Sequence, residues 1–165
     1  MPSSPRHQIP FLSAGQAQKE LTHNEALALI DAALHAAAEA IGLTAPPSSP
    51  AAGQCWIVGA GPSGAWAGQA HALACWTEGG WRFLQARQGM RVWLTDQQMW
   101  AERTASGWAT GDVRGSRLVI DGQQMVGARQ AAVAAPAGGA TVDSEARNAI
   151  ETIIARLSAH GLIAP

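Results

Sequence analysis

Tryptophan is the residue type with the clearest chemical potential in this sequence, because seven tryptophans stand beside two phenylalanines and no tyrosine. Several of them follow a glycine-containing turn. An indole at the start of a strand can fill the interior of a small sheet, or it can offer a flat apolar face and one N–H donor to a sugar. Two pairs on predicted hairpins are candidates for carbohydrate stacking, Trp76 with Trp81 and Trp100 with Trp108. Core and ligand surface both remain open for these four residues.

A glycine-rich run after a predicted strand, Gly59-Ala-Gly-Pro-Ser-Gly64, has the spacing of a dinucleotide-binding loop. Such a loop needs a helix directly after the glycines, because the N–H groups at the start of that helix hold the pyrophosphate. The next residues, 65–69, have no helical apolar pattern. The sequence therefore favours a hairpin loop, and we expect no cofactor.

The other reactive side chains do not converge in the sequence. His71 and Cys75 have ligand-like spacing and Cys55 adds a third candidate, but a zinc site needs a fourth ligand. The acids are dispersed over strand ends and turns, whereas a glycosidase needs two facing carboxylates. We therefore predict no catalytic residues, no metal site and no enzymatic activity. The two cysteines fit either buried free thiols or a disulfide between neighbouring strands.

Charge and hydropathy argue against two classes of partner. The formal net charge is −1 at pH 7 and the basic residues are scattered, whereas a nucleic-acid-binding protein would show a basic stripe. No apolar run reaches the length of a membrane-spanning helix, and no signal peptide is visible. We expect a protein made in the cytoplasm, with no nucleic-acid partner and no membrane insertion.

The elements that position these residues predict an α+β fold with an N-terminal helix, a small Trp-rich antiparallel β meander, a β-hairpin arm and a C-terminal helix. A short turn or helix at 14–20 precedes the main helix at 23–41, which is expected to bury Leu27, Ile30 and Leu34. The predicted strands are 54–58, 71–76, 81–85, 91–95, 98–102 and 107–110, with Trp56, Phe83 and Trp93 in the core.

The predicted domains are an extended arm (1–12), a helical segment (13–43), a linker (44–53), a small antiparallel β domain (54–112), a hairpin with an Ala/Gly-rich linker (113–140) and a C-terminal oligomerisation or docking helix (141–165). Asp121-Gly122 is the hairpin turn, and Thr141 is the expected cap of a helix at 142–160. The stripe of that helix is the candidate interface: Ile150, Ile153, Ile154 and Leu157. Because large apolar side chains are scarce and this stripe needs a partner, we expect a homo-oligomer.

The segment Pro10-Phe-Leu-Ser-Ala-Gly-Gln-Ala-Gln-Lys-Glu-Leu-Thr-His-Asn-Glu-Ala-Leu27 resembles the opening of an uncharacterised family of alphaproteobacterial phage and gene-transfer-agent proteins. The resemblance continues through Ile57-Val-Gly-Ala, Gly64-Ala-Trp-Ala-Gly68 and Gly80-Trp-Arg-Phe83. Residues 138–147 and 160–163 are similar to the C-terminus of many phage fibre-type proteins.

The resemblance implies a virion component, either a head spike or a tail-fibre base, that mounts a receptor-binding fibre and assists host attachment. Its expected partners are a capsid or tail protein, a spike or fibre protein and host capsular polysaccharide. For the homo-oligomer, the resemblance implies a trimer at a fibre mount or a pentamer at a capsid vertex. The arm at 1–12 or the helix at 142–160 is expected to dock on a neighbouring particle protein. The alternative function is a carbohydrate-binding module that uses the Trp-bearing hairpins. A glycan-active enzyme and a dinucleotide-binding protein are less favoured.

Overall fold

A computed structural model of the protein describes residues 2–13, 15, 19–141 and 143–164. The chain forms two compact units, Met1–Asp112 and Val113–Pro165. The predicted arm, helical segment, linker and β domain (1–12, 13–43, 44–53 and 54–112) therefore all belong to the first unit, and they do not form separate bodies.

The first unit combines one α-helix with eight strands in its described residues. In chain order these are α1 (Lys19–Ala33), β1 (Ala37–Ala38), β2 (Ile41–Leu43), β3 (Cys55–Val58), β4 (Leu73–Thr77), β5 (Gly80–Leu84), β6 (Arg91–Leu94), β7 (Met99–Arg103) and β8 (Trp108–Thr110). Sheet I has the strand order β1-β6-β7-β8, and sheet II has the order β2-β3-β4-β5. The edge strand β1 pairs with β6, and the edge strand β2 pairs with β3, both in parallel orientation. The other strand pairs in the two sheets are antiparallel.

The α+β class predicted from the sequence is confirmed. The predicted strands correspond to β3–β8, and their ends differ by two residues or fewer. The arrangement differs from a single meander, because β3–β5 and β6–β8 belong to different sheets. Each sheet also gains an edge strand from the alanine-rich region that the sequence predicted as helix.

An apolar cluster joins the facing sides of the two sheets. Its members come from both sheets and from the end of the helical region: Ala32, Ala36, Ala38, Cys55, Ile57, Leu73, Cys75, Val92, Leu94 and Ala101. These buried side chains are small or medium-sized, and Trp108 packs against them from the side of sheet I.

The main helix ends at Ala33, although the sequence predicted residue 41. His35 has a φ of 44°, in the left-handed region, and the chain then continues into β1 and β2. Alanine fits a helix well, but pairing with β6 and β3 supplies backbone hydrogen bonds from other elements, and this tertiary pairing overrides local propensity. The helix already includes Lys19, and the predicted turn at 14–20 lies largely outside the described residues.

The N-terminal arm is folded against α1. Ser3 bridges Pro10, and the Phe11 N–H donates to the Pro2 carbonyl over 2.8 Å. The helix face towards this region includes Asp31, which is buried together with Ala28 and Ala32. The predicted buried face was therefore wrong for Ile30 and Leu34, which are exposed.

The second unit contains a hairpin and a helix: β9 (Leu118–Ile120), β10 (Gln123–Val126) and α2 (Ser144–Ala159). The predicted Asp121-Gly122 turn forms, with positive φ at both residues as a tight hairpin requires. Asp143, and not Thr141, caps α2, because its side chain accepts a hydrogen bond from the Ala146 N–H over 2.9 Å. Neither helix in the described part of the chain is long and apolar enough to cross a membrane.

Candidate binding and assembly surfaces

A tryptophan layer covers the face of sheet II that points away from sheet I. Trp56, Trp76 and Trp81 lie on this face because side chains alternate along the strands. Trp66 comes from a three-residue 3₁₀ helix in the β3–β4 connection and is fully buried. The Trp66 and Trp81 rings lie 5.1 Å apart at 82°, and the Trp76 and Trp81 rings lie 5.0 Å apart at 64°.

The predicted pairing of Trp76 with Trp81 therefore occurs, as a direct cross-strand pair. The edge-to-face contacts do not present a common flat surface to a sugar ring, and both indoles are half-buried beside Trp56 and Trp66. This geometry favours the core role for Trp76 and Trp81.

The predicted pairing of Trp100 with Trp108 is wrong. Trp108 lies opposite Arg103, so it shares a face with Met99 and Ala101, on the side of the inter-sheet cluster. Its indole N–H donates to the His71 carbonyl over 3.0 Å and so links the two sheets. Trp100 lies on the other face, because neighbouring positions of a strand point in opposite directions.

The outer face of sheet I carries a different pair, Trp93 with Trp100. The two residues face each other across β6 and β7, with ring centroids 5.2 Å apart at 73°. Arg91 and Glu102 form the neighbouring pair on this face of the two strands, and Arg91 Nε lies 2.8 Å from Glu102 Oε2. Trp100 is 46% exposed. We call these four residues the outer patch.

The outer patch has the chemistry of a sugar-binding surface. An exposed indole provides an apolar plane, and the exposed guanidinium of Arg91 has N–H donors beyond the one directed at Glu102. The sequence predicted Trp93 in the core, although it is half-buried on the outer face. The alternation of residues 92–94 could have predicted this position, since the neighbours Val92 and Leu94 are both apolar and point inward.

A buried carboxylate holds the N-terminal arm to α1. Asp31 is 2% exposed, and its oxygens accept hydrogen bonds from the backbone N–H groups of Arg6 and His7 over 3.0 and 2.7 Å. Burial raises the pKa of Asp31, but hydrogen bonds from Ser4, Arg6 and His7 outweigh it and lower the pKa below its ordinary value. Asp31 is therefore an ionised anchor and not a general acid.

Arg6 completes this anchor at the C-terminal end of α1. Its guanidinium donates to the carbonyl oxygens of Asp31 and Ala32 over 2.9 and 3.0 Å, and to that of His35 over 2.9 Å. These carbonyls lack partners within the helix, and a cation there is favoured by the helix dipole. The arm predicted at 1–12 is therefore held to α1 through Arg6 and His7, and its docking on another protein stays a prediction.

A cleft of about 440 Å³ lies between the arm, α1 and the β4–β5 turn. Its size would suit a small ligand. Glu25 and Arg82 pair across it, and Arg82 also donates to the Gly79 carbonyl over 3.1 Å. Asn24 exchanges two hydrogen bonds with the backbone of Leu12. Because these lining groups already bind one another, the cleft is a joint between elements and a weak candidate for a ligand site.

The glycine-rich run forms a connection between the antiparallel strands β3 and β4. It leads into the short 3₁₀ helix Gly64–Trp66, and an α-helix that could hold a pyrophosphate does not follow. Among the described residues, no three His, Cys, Asp or Glu side chains lie together as a potential metal site.

The second unit exposes apolar side chains on both of its elements. Leu118, Ile120 and Val126 share one face of the hairpin, and each is about half exposed. Among the described residues of this unit, Ile163 is the one buried apolar side chain. A hairpin of two strands is only marginally stable alone, so this unit lacks the core that would support it.

The predicted interface residues of α2 do form one stripe. Ile150, Ile153, Ile154 and Leu157 follow helical spacing, and no residue described in α2 is buried. Ile153 is 56% exposed. The structure therefore brings these four residues together on one side of α2, where Ile150 and Ile153 are exposed and Ile154 and Leu157 are half-buried.

Comparison with known proteins gives one family. Residues 23–109 match the family described as "protein of unknown function" DUF2793. The match covers just over half of the chain and extends from α1 into β8, so that it includes the tryptophan layer and the outer patch. No curated protein was found that matches the chain. The chain therefore belongs to the DUF2793 family.

Proposed function

We propose that this protein is a non-enzymatic structural component of a phage-like particle, a gene transfer agent or prophage, in which it forms the base of a head spike or fibre. The observation that carries the assembly role is the second unit, whose hairpin and helix both expose apolar faces. The particle itself is suggested by the resemblance of residues 10–27 and of the chain's end to phage and gene-transfer-agent proteins.

The exposed apolar residues favour association with copies of the same chain. Full burial of an Ile or Leu side chain contributes roughly 1.5–3 kcal/mol. Two residues of the α2 stripe, Ile150 and Ile153, and the apolar face of the hairpin still expose about half of their surface. The α2 stripe alone spans little more than two heptads, which is marginal for a coiled coil. The hairpin face adds area to it, and a trimer or a pentamer would repeat both surfaces around one axis.

Light scattering on the full chain tests the assembly role. Ile153→Asp places a charge in the middle of the α2 stripe and should convert an oligomer to a monomer. Ala155→Asp adds the same charge on the opposite side of α2 and should leave the oligomer intact. A wild-type protein that is monomeric over the whole working concentration range would contradict the proposal.

The location of the protein tests the particle role independently. Antibody or mass-spectrometric detection should find the full-length chain in purified particles, and Ile153→Asp should be depleted from them. A protein that is abundant in the cell and absent from purified particles would refute a structural role in the particle.

The outer patch supports a second candidate function, carbohydrate binding during attachment. The supporting observation is Trp100, an exposed indole beside Trp93 and the Arg91–Glu102 pair. Trp100→Ala should abolish binding of the full protein to purified capsular or cell-wall polysaccharide and lower its melting temperature by only a few degrees, so that the protein stays folded. Trp100→Phe, which keeps an aromatic plane, should retain part of the binding. Equal binding by wild type and Trp100→Ala would exclude the outer patch.

A further inference from the structure

The two cysteines of the protein face each other across the centre of sheet II. Cys55 on β3 and Cys75 on β4 are direct partners in the antiparallel register. Both side chains belong to the inter-sheet cluster and are free thiols, 1% and 3% exposed. The geometry, and not only the composition, therefore makes them a pair.

The backbone pattern places this pair in the closer of the two antiparallel spacings. The Trp76 N–H donates to the Gln54 carbonyl and the Val58 N–H to the Ala72 carbonyl, each over 2.9 Å. Hydrogen-bonded and non-hydrogen-bonded pairs alternate along β3 and β4, and this pattern makes Cys55 and Cys75 a non-hydrogen-bonded pair. The Cys55 carbonyl points the other way and accepts from the Glu39 N–H over 2.8 Å. Non-hydrogen-bonded partners have Cα atoms about 4.5 Å apart, which lies within the range that a disulfide spans.

The two buried thiols influence each other's ionisation. Their interaction raises the pKa of Cys55 and lowers that of Cys75, and burial opposes ionisation of both. A thiolate is the species that attacks a disulfide, so the first of the two thiols to ionise starts the exchange.

We propose that Cys55 and Cys75 are a disulfide-forming site, oxidised by a small-molecule disulfide such as oxidised glutathione. The thiolate of one cysteine attacks one glutathione sulfur, which forms a mixed disulfide and releases the first glutathione thiolate. The other cysteine then gives up its proton and attacks the protein sulfur of the mixed disulfide, which releases the second. The protein loses two protons and two electrons, and one oxidised glutathione takes them up and becomes two reduced molecules.

The bond would tie the base of the loop that carries Trp66. Residues 55 and 75 bracket the connection from which Trp66 reaches the opposite face of sheet II. A closed loop has fewer unfolded conformations, so the oxidised protein should melt at a higher temperature than the reduced one. Because both sulfurs are buried, exchange requires separation of β3 and β4 and should be faster during refolding than in the folded protein.

Refolding of the full chain with oxidised and reduced glutathione tests the proposal. Alkylation under denaturing conditions should find no free thiol, the intact mass should fall by two hydrogens, and digestion should yield one peptide that links Cys55 to Cys75. The melting temperature should fall when the bond is reduced with dithiothreitol. The proposal would be overturned if both thiols could still be alkylated after refolding in excess oxidised glutathione, in a protein that has a native circular dichroism spectrum.

Two variants separate the intramolecular bond from other effects of oxidation. The double variant Cys55→Ala/Cys75→Ala should fold and melt at the same temperature in reducing and oxidising buffer. For Cys55→Ala alone, the monomer mass should not fall by two hydrogens on oxidation, since Cys75 then lacks its partner. A difference in melting temperature that persists in the double variant, or a bond that joins only separate chains, would also overturn the proposal.

Discussion

At the scale of single residues, tryptophan has three roles, which depend on the element that carries it and on the side of the strand. Trp66, on the 3₁₀ helix between β3 and β4, is enclosed by other indoles, Trp108 on β8 donates to the His71 carbonyl, and Trp100 on β7 is exposed on the outer face of sheet I. On the strands, a Trp is therefore a link or a surface residue according to its position relative to the pleat.

Trp66→Ala should lower the free energy of unfolding by about 3–5 kcal/mol, since it leaves a large cavity in the tryptophan layer. Trp100→Ala is the matched control and should cost only about 1 kcal/mol, the contribution of its edge-to-face contact with Trp93. Urea denaturation followed by circular dichroism measures both. Similar losses for the two variants would contradict the assignment of Trp100 to the surface.

Asp31 predicts a specific dependence of stability on pH. The pKa of Asp31 in the folded protein lies below its value in the unfolded chain, which is about 3.9. Its contribution to the free energy of unfolding is therefore fully present above the unfolded pKa and is lost as the pH falls through the folded pKa. Asp31→Asn should cost roughly 1.5–3 kcal/mol at neutral pH, because it weakens hydrogen bonds to a charged acceptor. Its difference from wild type should shrink below about pH 4.

Urea midpoints measured from neutral to acid pH test this sign. Asp96→Asn, in the exposed turn between β6 and β7, is the control and should follow the wild-type curve. A difference between wild type and Asp31→Asn that stayed constant or grew on acidification would show that the Asp31 carboxylate is not the stabilising form.

At the scale of elements, the parallel pairing of β2 with β3 depends on a close approach of two glycines. A Cβ added to Gly59 would lie 2.3 Å from the Gly42 carbonyl oxygen, so the two backbones would have to move apart. The Gly59 N–H donates to the Leu43 carbonyl over 2.7 Å at the same point. The first glycine of the apparent dinucleotide motif therefore serves the packing of an edge strand.

Gly59→Ala should reduce the free energy of unfolding by about 1–3 kcal/mol, the usual cost of forcing extra volume into a packed site. Gly107→Ala is the control, because a Cβ there meets nothing within 4 Å and the φ of Gly107 is not in the left-handed region. Thermal denaturation compares the two. Equal melting temperatures for both variants would show that β2 shifts without cost.

The sequence predicted the elements whose signal is local and missed those that depend on distant partners. The turn at Asp121-Gly122 and the strands β3–β8 carry their own turn residues and β-branched or aromatic runs. The end of α1, by contrast, depends on Arg6 and on β6 and β3, which lie far away in the sequence. Alanine alone gives no sign of that competition.

The candidate sites divide in the same way. The α2 stripe was predictable, because its period is contained in one helix. The partner of Trp100 was not, because it depends on the register of β6 with β7, and the hairpin spacing to Trp108 suggested the wrong residue. The pairing of Cys55 with Cys75 likewise depends on the register of β3 with β4, which the spacing in the sequence does not determine.

At the scale of the whole molecule, the two units differ in how they are stabilised. The first has two apolar clusters of buried side chains, whereas the described residues of the second include one buried apolar side chain, Ile163. All seven tryptophans and both phenylalanines lie within residues 1–112. A protein built this way has one unit that folds on its own contacts and one that gains most from a partner.

Truncation after Asp112 should therefore give a folded monomer, while the full chain forms the oligomer. Because each unit is compact by itself and every tryptophan lies in the first, the truncated protein should keep the tryptophan emission spectrum and near-ultraviolet circular dichroism of the full chain. Light scattering of both proteins at equal molar concentration measures their assembly states. A truncated chain that retained the full oligomer would place the interface on the first unit, with the outer patch as its nearest candidate, and would contradict the role given to α2 and the hairpin.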